Sequence, residues 1–161
     1  ARTAKQFYKG SADWSKIAEL KSAVDIPVIG NGDLADPYDA MRRMRESGVD
    51  AVMLGRATLG NPWLASRRRA LMEGREPEAT PAAPDRLRFA IQHYNTMVEE
   101  WGEQRAAPQM RKHLGYYLKG FPGASALRER LMRTETAAET LAVLETTIAQ
   151  LESTTHELAV A

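Results

Sequence analysis

The sequence predicts an α/β segment joined to an all-α helical bundle, and three observations predict it. Two short apolar runs, Ile26-Pro27-Val28-Ile29-Gly30 and Ala51-Val52-Met53-Leu54, each end in glycine and polar groups. These endings are Asn31-Gly32-Asp33 and Gly55-Arg56. A well-punctuated helix lies between the runs, and beyond residue 85 apolar residues recur only at helical spacing. Each run suits a strand buried on both faces. Strand, helix, strand with short connections is the right-handed βαβ unit of a parallel sheet.

The elements follow in order. Residues 1–11 are polar and broken by Gly10 and Ser11, which predicts a loop. Trp14, Ile17, Ala18, Leu20 and Lys21 predict a helix over 12–24, leading into a strand at 26–30. Asp36 as N-cap, Pro37 at the first helical position and Gly48 as stop bound a helix at 36–47. Ala40, Met41 and Met44 give it one apolar face, and a strand follows at 50–54. Gly60-Asn61-Pro62 is a turn that starts a helix at 62–73 carrying Trp63, Leu64, Leu71 and Met72. Arg67, Arg68 and Arg69 are consecutive on it, so they diverge and make a solvated face rather than one phosphate clamp.

Gly74, Pro77, Pro81 and Pro84 mark an extended linker. The predicted organisation is an α/β part at 1–76, a linker at 77–84, a helical domain at 85–153 and a fraying tail at 154–161. In the helical domain, Asp85 is expected to cap a helix whose stripe is Leu87, Ile91, Tyr94, Val98 and Trp101, ended by Gly102. A second helix is expected from Pro108, with Met110, Leu114, Tyr117 and Leu118, stopped by Gly120 and Pro122-Gly123. A short helix at 124–132 follows. The last, at 135–152, carries Ala137, Leu141, Leu144, Ile148 and Leu151, with Thr136 and Glu139 as its capping box. Trp14, Trp63 and Trp101 are all assigned to packing.

Composition narrows the function. The chain has 161 residues, 43% hydrophobic and 27% charged, with a formal net charge of +1. Bulk charge therefore does not signal nucleic-acid binding, and any such surface must be a local patch. Without cysteine there is no disulfide, thiolate nucleophile or cysteine metal site. His93, His113 and His156 are too scattered for a metal centre. No run is long enough to span a bilayer, and no signal-peptide pattern is present. The chain opens on Ala1-Arg2-Thr3, without methionine. A complete parallel barrel takes roughly 250 residues, so the expectation is a partial (β/α)8 TIM barrel, its last βα units, followed by the bundle.

Ligands of parallel sheets sit at the carboxyl ends of the strands. Glycines there let backbone N–H groups approach a phosphate, and Arg56 adds an always-charged fork. Two adjacent strand ends with such groups describe the phosphate site of many (β/α)8 barrels. A plain tight turn at Asn31-Gly32-Asp33 is the alternative; the paired arrangement makes it the weaker one.

Arg2-Thr3, Tyr8-x-Gly10, Ile26 to Asp33, Val52-Met53-Leu54-Gly55-Arg56, Gly60-Asn61-Pro62-Trp63, Arg111-Lys112-His113 and Tyr116-Tyr117-Leu118-Lys119-Gly120 occur in that order. With these motifs the chain resembles the C-terminal part of a bacterial tRNA-dihydrouridine synthase. The resemblance implies a cytoplasmic, FMN-dependent barrel with a helical tRNA-binding domain, which reduces a uridine of tRNA with NADPH as reductant. It implies that Asn31, Gly32, Asp33, Gly55 and Arg56 hold FMN around its phosphate and ribityl chain. It places Arg111, Lys112 and Arg2 on tRNA. Arg105, Lys119, Arg128, Arg130 and Arg133 come from the same bundle and make a phosphate-tracking patch if several share a face; a solvated face is the alternative. The family's general-acid cysteine, a flavin-lining lysine and glutamine, and a histidine before the Arg2-Thr3 pair all fall upstream. No catalytic residue is therefore expected in this chain, and the missing N-terminal half of the barrel becomes a partner. His113 is read as a packing or capping residue, and Tyr116 and Tyr117 as core and rim. A remnant barrel is expected to self-associate or to leave only its bundle well ordered. Two rivals stand beside this reading: a non-catalytic tRNA-binding module, and another FMN barrel acting on a small molecule.

Overall fold

The computed structural model describes residues 2–120 and 123–160, with side chains through 154. The chain forms two compact units, Ala1–Ala79 and Thr80–Ala161.

The first unit orders α1 (Trp14–Ser22), β1 (Ile29–Asn31), α2 (Pro37–Ser47), β2 (Ala51–Met53) and α3 (Trp63–Met72), with a 3-10 turn at Arg56–Thr58 before α3. Asp13 opens α1 by accepting the N–H groups of Ser15 and Lys16. Asp36 caps α2 through the N–H groups of Tyr38 and Asp39, at 2.8 and 3.0 Å. Gly48 closes α2 in the left-handed region, at φ +69°. The strands pair in parallel, Ile29 with Ala51, Gly30 with Val52 and Asn31 with Met53. Both are shorter than their apolar runs. Pro27 has no N–H to give a ladder, and the N–H of Val28 goes to the Asp50 carboxylate at 2.7 Å.

The pleat sorts the side chains into two faces. Gly30 and Val52 turn toward a core of Ala12, Trp14, Ile17, Leu34, Ala40 and Val49, completed by Val28, Met44 and Leu54. Gly30 is obligatory there, because a Cβ would lie 2.7 Å from the Trp14 ring. The opposite face leaves Ile29 65% and Met53 56% exposed. The helix after β2 buries Leu64 and Ala70, while Met72 is exposed. Its three arginines diverge: Arg67 donates to the Glu78 carbonyl, Arg68 lies 3.3 Å from the Met44 sulfur, and Arg69 pairs with Glu73.

The second unit comprises α4 (Ala83–Trp101), α5 (Glu103–Tyr117), α6 (Ala124–Met132) and α7 (Ala137–Val160). Four expectations are corrected here. Asp85 does not cap α4; Ala82 holds that position, and Asp85 pairs with Arg88 at 2.9 Å. The buried stripe is Leu87, Ala90, Tyr94 and Met97, and Trp101 is 54% exposed. Small Ala90 lets the neighbouring helices approach, so packing rather than hydrophobicity chooses the face. The next helix begins at Glu103, directly after Gly102, and takes Pro108 inside it. Ala106 and Met110 are buried on either side of Pro108; their packing offsets the backbone hydrogen bond that proline forgoes. The last helix runs past 152 to Val160. The expected stop at Pro122 and the side chain of His156 lie outside the described residues.

The capping box is present. Glu139 N–H donates to Thr136 Oγ1 at 3.2 Å, and the Glu139 carboxylate accepts the N–H of Glu135 at 2.8 Å. Thr136→Ala is expected to lower the stability of the helical unit by about 1 kcal/mol in chemical denaturation.

His93 is half-buried between α4 and α5, its ring edge-on to His113 at 4.9 Å and its Nδ1 3.2 Å from the Tyr117 hydroxyl. Burial, and then the neighbouring His113, lower the His93 pKa. The fold thus favours neutral His93 while the unfolded chain takes up its proton near pH 6.5. Stability is expected to fall as pH drops below about 6.5. His93→Gln should flatten that slope, as read from thermal unfolding at pH 7.5 and 5.5.

Candidate functional site

The strand ends of the first unit open into a cleft of about 620 Å³. Its walls include Asn31, Gly32 and Asp33 after β1 and Gly55, Arg56 and Ala57 after β2. Arg2, Phe7, Tyr8 and Ala12 close it from the N-terminal loop. The five residues read from the sequence as a phosphate site are therefore brought together, and Arg2 joins them.

Asn31 ties the two strand ends: its Nδ2 donates to the Met53 carbonyl at 2.7 Å. Gly32 is held at φ +136°, with its carbonyl accepting the Trp14 indole N–H at 3.0 Å. A Cβ at Gly32 would lie 2.5 Å from the Ala12 Cβ, so the turn is built on close backbone approach. At Gly55 the nearest neighbour to an added Cβ is Asn31 Nδ2 at 3.9 Å, leaving that backbone open to the cleft.

Asp33 organises the charges. It sits at φ +55°, a conformation that aspartate tolerates better than bulkier residues. Its Oδ2 accepts Arg2 Nη2 at 2.5 Å and the Ala12 N–H at 2.7 Å, while its Oδ1 faces Arg56 Nη2 at 3.4 Å. The hydrogen bond from Arg2, then that from Ala12, holds the Asp33 carboxyl below its usual range. Asp33 is thus an anion at neutral pH, and what it contributes to stability is lost progressively as pH falls from the usual carboxylate range through that depressed value.

The two arginines are not equivalent. Arg2 also donates to the carbonyls of Lys9 and Gly10, and its side chain is only 13% exposed. Its Nε and Nη2 donors are spent inside the protein. Arg56 is 55% exposed, makes one long contact to Asp33, and lies over the Tyr8 ring at 4.2 Å. Its fork keeps donors for an anion in the cleft. Neither the Arg2–Asp33 pair nor the Tyr8 stack is legible as spacing, since the partners lie 31 and 48 residues apart in sequence.

In the helical unit, Arg111 donates to the Thr134 carbonyl at 2.9 Å and is partly buried. Lys112 is exposed, with Nζ 3.2 Å from Gln109 Oε1. Arg128 donates to the Gly115 carbonyl, and Arg133 pairs with Glu129. Lys119 lies over the Tyr116 ring at 4.9 Å. Arg86 holds the carbonyls of Tyr117 and Lys119 at 2.6 Å, a cap on the end of α5 that spacing did not reveal. Tyr117 is buried and Tyr116 half-exposed. Among the described residues, no three His, Asp or Glu side chains converge as a metal site. Among the described residues, no helix is long and apolar enough to cross a membrane.

A family model described as dihydrouridine synthase matches residues 1–153. Curated relatives carry the name probable tRNA-dihydrouridine synthase. That of Mycobacterium leprae (strain TN) is 42% identical over 140 residues, covering 86% of this chain and 36% of its own length. That of Rickettsia bellii (strain RML369-C) is 39% identical over 127 residues, covering 79% and 39%. That of Rhodobacter capsulatus is 35% identical over 152 residues, covering 94% and 46%. The chain spans less than half the length of each of these relatives.

Proposed function

The chain belongs to the dihydrouridine synthase family, and from that premise we propose that it forms part of a flavin-dependent reductase converting uridine to 5,6-dihydrouridine in tRNA. In this reading β1, β2 and their helices are the last βα units of a (β/α)8 barrel, FMN is the cofactor and NADPH the reductant. The observation that carries it is the Arg56 fork, exposed at two adjacent parallel strand ends while Arg2 occupies Asp33.

The residues present fit a phosphorylated cofactor. The cleft volume of about 620 Å³ falls in the range of roughly 300–1,000 Å³ usual for small-molecule sites. The open backbone at Gly55 and the turn at Gly32 would bring N–H groups to the rim. Arg56 would take phosphate oxygens, Gly32 and Gly55 would give the chain of the cofactor close backbone approach, and Asn31 would hold the strand ends in register. Asp33 orients the arginines. The bound flavin supplies hydride chemistry that side chains lack. In this reading the proton donor is the cysteine that the family resemblance implies, and these 161 residues include none.

The helical unit would hold tRNA through phosphates and shape. Lys112 presents an exposed ammonium, bonded to Gln109, for a phosphate, and Arg111, fixed through Thr134, sets the helix face beside it. Arg2, in this reading, serves the cleft rather than the RNA.

Equilibrium titration of the chain with FMN, followed by flavin fluorescence, and with tRNA across a salt series tests the proposal. Saturable binding of both is expected, with tRNA affinity falling steeply with salt. Salt-dependent tRNA binding without flavin would favour a non-catalytic tRNA-binding module. Flavin binding without tRNA would favour a barrel acting on a small molecule.

A further inference from the structure

We propose that Tyr8 is a positioning residue for phosphate recognition, its ring holding the Arg56 guanidinium in the plane from which the fork meets a phosphate monoester. The inference rests on the reading of the cleft as a flavin-phosphate site.

Three features carry it. The first is the stack. Arg56 Cζ lies 4.2 Å from the centroid of a Tyr8 ring that is itself 72% exposed. A large aromatic so exposed serves no core, and a guanidinium stacked on a ring face keeps its in-plane N–H groups free. A hydrogen-bonded partner would consume them. The second is the treatment of the competing anion. Asp33 is the carboxylate in contact with Arg56, and its Oδ2 is taken by Arg2 and the Ala12 N–H. What remains for Arg56 is one contact at 3.4 Å. A phosphate can displace that contact without stripping Asp33 of its partners. The third is the loop that carries Tyr8. Arg2 binds Asp33 and the carbonyls of Lys9 and Gly10 with one guanidinium, so it pins the loop to the end of β1. Phe7, beside Tyr8, is held at φ +48°, where a bulky side chain is strained. A loop fastened in that conformation sets Tyr8 over Arg56 before any ligand arrives. An exposed arginine otherwise loses its rotamer freedom on binding.

FMN and riboflavin differ only in the phosphate, so the ratio of their affinities reads recognition of the phosphate. The ratio is measured by fluorescence titration for the wild-type chain, Tyr8→Phe and Tyr8→Leu, with circular dichroism to confirm that each folds. The Arg56 Nε–H resonance, shifted by the ring current of Tyr8, reports the stack itself. Tyr8→Phe is expected to keep both the ratio and the shifted resonance. Tyr8→Leu should lose the ring-current shift and cut the ratio about two- to fivefold, any effect on the rest of the flavin being common to both ligands and dividing out of the ratio. A preference for FMN that survives intact in Tyr8→Leu overturns the role of Tyr8 and leaves the phosphate reading standing. A wild-type chain that binds both flavins alike, or neither, overturns the phosphate reading and this inference with it.

Discussion

Arg56→Ala is expected to weaken FMN binding by roughly ten- to a hundredfold. A hydrogen bond to a charged group contributes about 1.5–3 kcal/mol, and each 1.4 kcal/mol is about tenfold in affinity. Arg56 is 55% exposed in the chain without ligand, which argues for the lower end if the phosphate stays wet. Covering of the cleft by the ligand moves it toward the upper end. The fold should be indifferent to the change. Arg56 gives Asp33 only a 3.4 Å contact, and the Arg2–Asp33 pair at 2.5 Å stays in place. Fluorescence titration beside a thermal melt separates the two effects. An unaltered FMN affinity would mean that backbone N–H groups of Asn31-Gly32-Asp33 carry the phosphate without the fork. Unaltered affinity for riboflavin is part of the expectation, because the lost group serves only the phosphate.

Gly32→Ala is expected to destabilise the first unit by about 2–5 kcal/mol, from overpacking and from backbone strain together. The methyl group would arrive 2.5 Å from the Ala12 Cβ, in a backbone held at φ +136°. Ala12 is buried and cannot yield cheaply, since its N–H is fixed to Asp33 at 2.7 Å. Any shift that relieves the clash therefore also loosens Asp33, and through it both arginines. A loss of this size is a large fraction of the stability of an ordinary domain. Amide hydrogen exchange reads it directly: protection at residues 12–17 and 29–34 should collapse, with α4 to α7 as the internal control. Wild-type protection in the variant would show that the turn accommodates a side chain, and that the glycine is a matter of chance.

The local grammar of this chain was legible without coordinates. Asp36, Pro37 and Gly48 bounded α2 where caps and stops belong, and Thr136 with Glu139 announced the capping box of α7. The five cleft residues after the two strands were also readable, because parallel pairing puts consecutive strand ends side by side. Capping and strand succession depend on residues close in sequence, and such interactions leave a pattern in the order of residues.

Only the tertiary structure decided the rest. It turned α4 so that Ala90 and Met97 are buried and Trp101 is not, because helix packing selects for fit as well as for apolarity. It carried Pro108 inside α5, where burial of Ala106 and Met110 outweighs a missing hydrogen bond. It divided the labour of the two arginines, spending Arg2 on Asp33 and leaving Arg56 open on the Tyr8 ring. Those choices join residues far apart in the chain through distance, direction and competition for one carboxylate. A linear sequence holds the participants in such a competition, and only three-dimensional geometry ranks them.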